Sequence, residues 1–180
     1  LIDKLKERPE VGVPLYGRFM YTVTRGARLG KFYLRSAPTG VGKTRSLIAD
    51  ACYIACEYIY DDTFARWIKI GTKEPTLFIT TEQTVDEIQT MMLAFLSCVN
   101  EEHIINGKYV GDEEERVRQA AEELKKGPLY IVTMPDFSLQ DIENTIKKNL
   151  RENNIKYVFL DYIHTSLKIM EEITRRSGGV

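Results

Sequence analysis

Short apolar runs and longer amphipathic stretches take turns along this chain. The runs at residues 31–36, 76–81, 129–133 and 156–161 each predict a buried strand. Between them lie segments with helical periodicity. Residues 45–58 are an unbroken helical pattern, and Val85, Ile88, Met91, Met92, Phe95, Leu96 and Val99 lie on one face of a second helix. Residues 112–126 predict a third, opened by acidic residues and ended by Lys125-Lys126-Gly127-Pro128, as the helix dipole and capping rules favour. Ser138 and Asp141 resemble a capping box, and the helix they start carries Leu139, Ile142, Ile146 and Leu150 on one side. In the segment 60–74, Phe64, Trp67 and Ile68 sit at helical spacing and predict a small helix packed on the core. Strands that alternate with helices in this way demand a parallel sheet with right-handed crossovers, so the chain is α/β.

The chemistry sits at the ends of the strands. Ala37-Pro38-Thr39-Gly40-Val41-Gly42-Lys43-Thr44 follows the first apolar run and opens the first helix, the context that a phosphate-binding loop requires. Gly40 and Gly42 let the backbone wrap around phosphate oxygens with its N–H groups inward, and the helix N-terminus adds partial positive charge. Lys43 would reach the β- and γ-phosphates, and the Thr44 hydroxyl would ligate Mg²⁺. Arg45 closes the set of expected nucleotide contacts, residues 37–45. The first position is Ala where Gly is commoner, a small-residue variant that keeps the loop geometry. The cofactors expected are therefore ATP and Mg²⁺.

Two carboxylates complete the expected site. The run 156–161 ends in Asp161, the Walker B pattern that delivers a carboxylate to Mg²⁺ at the carboxyl end of a buried strand. Hydrolysis also needs a group that orients the attacking water. Many P-loop ATPases keep a glutamate directly after the Walker B aspartate, but Tyr162 stands there. The run 76–81 ends in Glu82, which a parallel sheet brings to the same edge. Glu82 and Lys43 are thus the expected catalytic residues.

A glutamate on the neighbouring strand points to the RecA-like branch, and within it the chain resembles the C-terminal ATPase domain of DnaB-type replicative helicases. The likeness is carried by residues 26–32, by the proline-containing loop 37–44, by Phe78-Ile79-Thr80-Thr81-Glu82-Gln83 and by Leu160-Asp161-Tyr162-Ile163-His164. It covers residues 13–164, of which the phosphate-loop segment is the specific part. Met20-Tyr21 stands where the family usually has Leu-Asp, and about a dozen extra residues lie between 60 and 74, which points to a phage-like or mobile-element relative. The resemblance implies a RecA-like P-loop fold, a mostly parallel sheet flanked by helices. It also implies an ATPase that moves single-stranded DNA through a homo-oligomeric ring, a hexamer, and leaves room for a helicase loader or a primase as partner. A second reading of the same residues is a RecA- or KaiC-like ATPase, or a helicase-loader-type nucleotide switch, without unwinding activity.

Composition changes this picture little. At 180 residues the chain is one domain, 43% hydrophobic and 28% charged, with a formal net charge of -1 that does not announce a nucleic-acid binder. No apolar run approaches a membrane span and no signal peptide opens the chain, so the cytoplasm is the default compartment. Cys52 and Cys56 share a helix face and read as core thiols. Residues 1–14 read as a connector and 15–180 as the N-terminal part of the ATPase core. The sheet is expected to be incomplete at the C-terminus, because the strand, sensor and arginine finger of RecA-like ATPases do not fit between His164 and Val180. Residues 174–179, with Arg175 and Arg176, read either as the start of a basic DNA-binding loop or as a helix end.

Overall fold

The computed structural model describes residues 11–163 and 167–176 of the chain. Its centre is a three-stranded parallel sheet of β3 (Thr76–Thr80), β4 (Leu129–Thr133) and β5 (Tyr157–Asp161), in the order β4-β3-β5. β3 is the middle strand and is buried along its whole length, as a two-sided parallel strand must be. Its register pairs Thr80 with Thr133 on one side and with Asp161 on the other, so the three strands end level.

Helices connect and cover the sheet. Before it come α1 (Arg18–Thr24) and α2 (Lys43–Ala55). From β3 the chain passes through α3 (Val85–Ser97), α4 (Glu101–Asn106) and α5 (Glu113–Lys126) to β4, then through α6 (Leu139–Asn153) to β5 and on to α7 (Leu167–Arg176). The capping box expected at Ser138 and Asp141 opens α6, and a second one not singled out in the sequence, Thr84 and Glu87, opens α3, each exchanging side-chain and backbone hydrogen bonds. The main core joins Ile48, Ala51, Cys52 and Cys56 with Phe78, Ile88, Met92 and Leu96. A second cluster of Leu77, Ile79 and Ile155 lies beneath Ile142 and Ile146 of α6, whereas Leu139 and Leu150 are about half exposed. Cys52 and Cys56 are fully buried thiols, and burial pushes the Cys52 pKa up. Among the described residues no helix is long and apolar enough to cross a membrane.

Two expectations are corrected. The first helix stops at Ala55, and the segment expected as a small helix is instead an antiparallel hairpin of β1 (Tyr58–Asp61) and β2 (Arg66–Lys69). Asp61 turns the chain, its Oδ1 accepting from Thr63 N at 2.9 Å and Phe64 N at 3.2 Å. The hairpin lays Trp67 against the core and Tyr60 edge-on to Trp67 at 5.7 Å, with the Arg116 guanidinium 4.5 Å over the Tyr60 ring.

The second correction concerns residues 31–36, which form no strand: Phe32 and Leu34 are 81% and 76% exposed. A strand exists only where a neighbour takes up its backbone groups, and β5 pairs with β3 alone among the described residues. Of the two readings of the chain's end, the helix end is the one seen: residues 174–176 belong to α7, and Arg175 lies 3.8 Å from Glu171 one turn earlier. Residues 1–10, His164 and residues 177–180 lie outside the described residues.

The chain leaves the hairpin through a tight contact. A Cβ on Gly71 would fall 1.6 Å from the carbonyl oxygen of Cys56. Gly71→Ala is therefore expected to destabilise the fold by about 2 kcal/mol, the range of overpacking against a fixed neighbour. A lowered denaturant midpoint with an unchanged m-value would show it.

Candidate functional site: the carboxyl edge of the sheet

The level ends of β3 and β5 place two acids next to the N-terminus of α2. Asp161, the last residue of β5, is only 5% exposed, and the Thr44 side chain in the first turn of α2 is near enough to favour its charged form. Burial pushes its carboxyl pKa up, and the Glu82 charge adds to this; Thr44 and the Lys43 charge pull it back. Three expected site residues, Lys43, Thr44 and Glu82, thus lie within reach of the fourth, Asp161.

The loop before α2 has the backbone that an anion cradle needs. Gly40 and Gly42 have φ of 82° and 88°, the left-handed region that costs an L side chain about 1–2 kcal/mol. Gly42 is the N-cap of α2, so the helix begins where the loop ends and directs its free N–H groups outward. The Lys43 ammonium donates to the carbonyl oxygens of Ala37, at 2.8 Å, and Pro38, at 3.2 Å. Thr39, Gly40 and Val41 are exposed between these anchors. Arg45 points elsewhere, into an ion pair with Glu101 of α4.

Glu82 follows the buried Thr81 and is itself exposed, with Oε1 accepting from the Tyr162 hydroxyl at 2.7 Å. The backbone beneath is stitched across the strands: Thr81 N donates to Asp161 O at 2.9 Å, and Tyr162 N donates to the Thr81 hydroxyl at 3.1 Å. Glu82 precedes the Thr84 cap, so the charges that offset the α3 dipole are Asp86 and Glu87.

Residues that hold the loop were missed in the sequence. Arg35 donates to Ser46 Oγ at 2.7 Å and to Asp50 Oδ2 at 2.6 Å, and Asp50 also accepts from Tyr16 N at 2.9 Å. These bonds tie both segments that precede the loop to α2, which follows it. Burial raises the Asp50 pKa and the Arg35 hydrogen bond opposes this. The signal was available: Asp50 interrupts the apolar face Ile48-Ala49-Ala51-Cys52, where an acid needs a cation. Arg175 is not part of this group; it lines a separate cleft with Ser138, Asp141 and Glu172, between α6 and α7.

The donor set suits a hard divalent ion that brings its own ligands. Thr44 and Asp161 offer two adjacent oxygens, and no cluster of three or more His, Cys, Asp or Glu exists among the described residues. That is the pattern for Mg²⁺, held by one or two protein oxygens together with phosphates and water.

The chain is 40% identical over 178 residues to the SPbeta prophage-derived uncharacterized protein YorI of Bacillus subtilis (strain 168), covering 99% of this chain and 35% of that protein. It is 28% identical over 101 residues to the replicative DNA helicase DnaB of Treponema pallidum (strain Nichols), covering 56% of this chain and 23% of that one. The chain therefore spans about a third or less of the length of these relatives. Among solved structures, the ATPase domain of G40P superposes with a TM-score of 0.71 at 15% identity, over 97% of this chain and 61% of that one. A DnaB-like replicative helicase, described with its interactions with primase, gives 0.70 at 16% identity, over 89% and 37%. The fold is thus RecA-like, and the prophage relative fits the phage-like divergence of the sequence. The model of the DnaB-like helicase C-terminal domain matches residues 14–178, most of this chain, and the chain belongs to that family.

Proposed function

We propose that this chain is an ATP-hydrolysing motor domain that translocates on single-stranded DNA during replication, working in a homo-oligomeric ring, a hexamer. The observation that carries the reading is the convergence of Thr44, Lys43 and Glu82 on the one buried carboxylate of Asp161 at the end of β5. Backbone amides of residues 39–43 hold the phosphates, with Arg45 at the end of the loop, and Lys43 leaves the Ala37 and Pro38 carbonyls to neutralise the β- and γ-oxygens. Thr44 and Asp161 would hold Mg²⁺, which when bound offsets the charge that develops on the phosphates. Glu82 accepts a proton from the attacking water and aligns it for in-line attack. Family membership supports the helicase assignment. The DnaB-like neighbour's interactions with primase support a primase as partner. The absence of a membrane-crossing helix among the described residues is in keeping with work in the cytoplasm.

The test is ATP hydrolysis by the full-length protein that carries this domain, with and without single-stranded DNA. Stimulation by DNA is the expected result, and strand displacement is the assay that follows. Hydrolysis indifferent to DNA would favour a RecA- or KaiC-like ATPase or a loader-type switch, with the nucleotide site unchanged.

A further inference from the structure

The residue after Asp161 has no role in the reading above, yet its side chain reaches the proposed catalytic glutamate. We propose that Tyr162 is a positioning residue, whose hydroxyl holds the Glu82 carboxylate in the orientation that takes a proton from the attacking water. This rests on the reading of Glu82 as the water-orienting group.

Glu82 needs such a partner. Its side chain is exposed, and a glutamate fixed in one rotamer gives up side-chain entropy that a partner must offset. The Tyr162 hydroxyl supplies a hydrogen bond of 2.7 Å to Oε1, the length of a strong bond to a charged acceptor. One such bond occupies one of about four lone-pair positions of a carboxylate, so the group can still accept from water.

The tyrosine is itself fixed at its base. Its N–H donates to the Thr81 hydroxyl at 3.1 Å, and that hydroxyl lies 3.0 Å from the Tyr162 carbonyl oxygen. Thr81 is 3% exposed and adjoins Glu82, while Tyr162 adjoins Asp161. A short closed path therefore runs from Asp161 through Tyr162 to Glu82 and back through Thr81. It makes the water-orienting group and the ion-binding carboxylate one rigid unit. A tyrosine at this place does what no acid placed there could, because a second carboxylate would repel Glu82 and leave it unheld.

Tyr162→Phe, Glu82→Gln and the double variant of the full-length protein test this, with melting temperature and binding of a non-hydrolysable ATP analogue measured on each. Tyr162 is 38% exposed, so the phenyl ring is tolerated. Tyr162→Phe is expected to lower kcat about tenfold with KM for ATP unchanged, the loss of one bond to a charged group. In the Glu82→Gln background it is expected to leave the residual rate unchanged. A single variant with normal or faster turnover, a rise in KM alone, or an equal fall in the Glu82→Gln background overturns the proposal. If Glu82→Gln stops turnover while Tyr162→Phe is normal, only the role of Tyr162 falls; if Glu82→Gln turns over normally, the reading of Glu82 falls first.

Discussion

Glu82→Gln is expected to stop ATP turnover while nucleotide binding stays at its native level. The amide keeps the size and one acceptor oxygen of the carboxylate but cannot accept a proton at neutral pH, so the attacking water loses its base. Positioned general bases contribute about 10²–10⁴-fold, and the fall in kcat should lie in that range. Binding should survive because the phosphate contacts come from elsewhere: the loop amides, the α2 N-terminus and Lys43. Stability should survive too, since Glu82 is exposed and its one hydrogen bond to Tyr162 can be kept by the amide oxygen. Single-turnover hydrolysis together with analogue affinity separates the two effects. Normal hydrolysis by Glu82→Gln would move the base to another residue and leave the nucleotide site as it is.

The sequence made this prediction available because β3 and β5 are the strands it describes best. A buried parallel strand is a continuous apolar run, and the residue that ends the run marks the carboxyl edge; Glu82 and Asp161 were legible on that ground alone. The Ser138 cap was legible as chemistry, from a hydroxyl three residues before an acid, whereas the Thr84 cap, with the same spacing to Glu87, was missed. The hairpin was not legible, because Phe64, Trp67 and Ile68 satisfy a helical spacing over so short a stretch as well as a strand one. Its turn chemistry was in view at Asp61-Asp62-Thr63, and gave the better guide. Residues 31–36 erred the other way. They have the apolar content of a strand, but pairing is decided by a neighbour that no local pattern records. Tyr162 was visible as the residue that displaces the usual glutamate, and its bond to Glu82 was not, since it crosses between strands 80 residues apart.

Asp161→Asn is expected to separate stability from activity. Asp161 is a buried acid, and burial holds its folded-state pKa above that of the unfolded chain, with the Glu82 charge adding to this and Thr44 and Lys43 opposing it. In a window that opens near the ordinary carboxylate value of about 4, the native protein keeps a proton that the unfolded chain has released. Stability therefore falls as pH rises through that window, and the full penalty is present at neutral pH. Asparagine removes the charge and keeps an oxygen for the Thr44 hydroxyl. In the metal-free protein its melting temperature should exceed that of the native chain at neutral pH, and the gain should shrink as both are taken below about pH 4. Activity should move the opposite way. With one of two adjacent hard oxygens lost as an anion, Mg²⁺-dependent hydrolysis should fall about a hundredfold or more, because charge stabilisation by the ion is worth several kcal/mol. Melting curves across pH in the presence of a chelator, set beside hydrolysis titrated with Mg²⁺, read the two effects independently. A variant that melts lower than the native chain at neutral pH would mean that Asp161 earns its burial through Thr44 and Lys43 even without the ion. Unchanged Mg²⁺ dependence would take the ion away from Asp161 altogether.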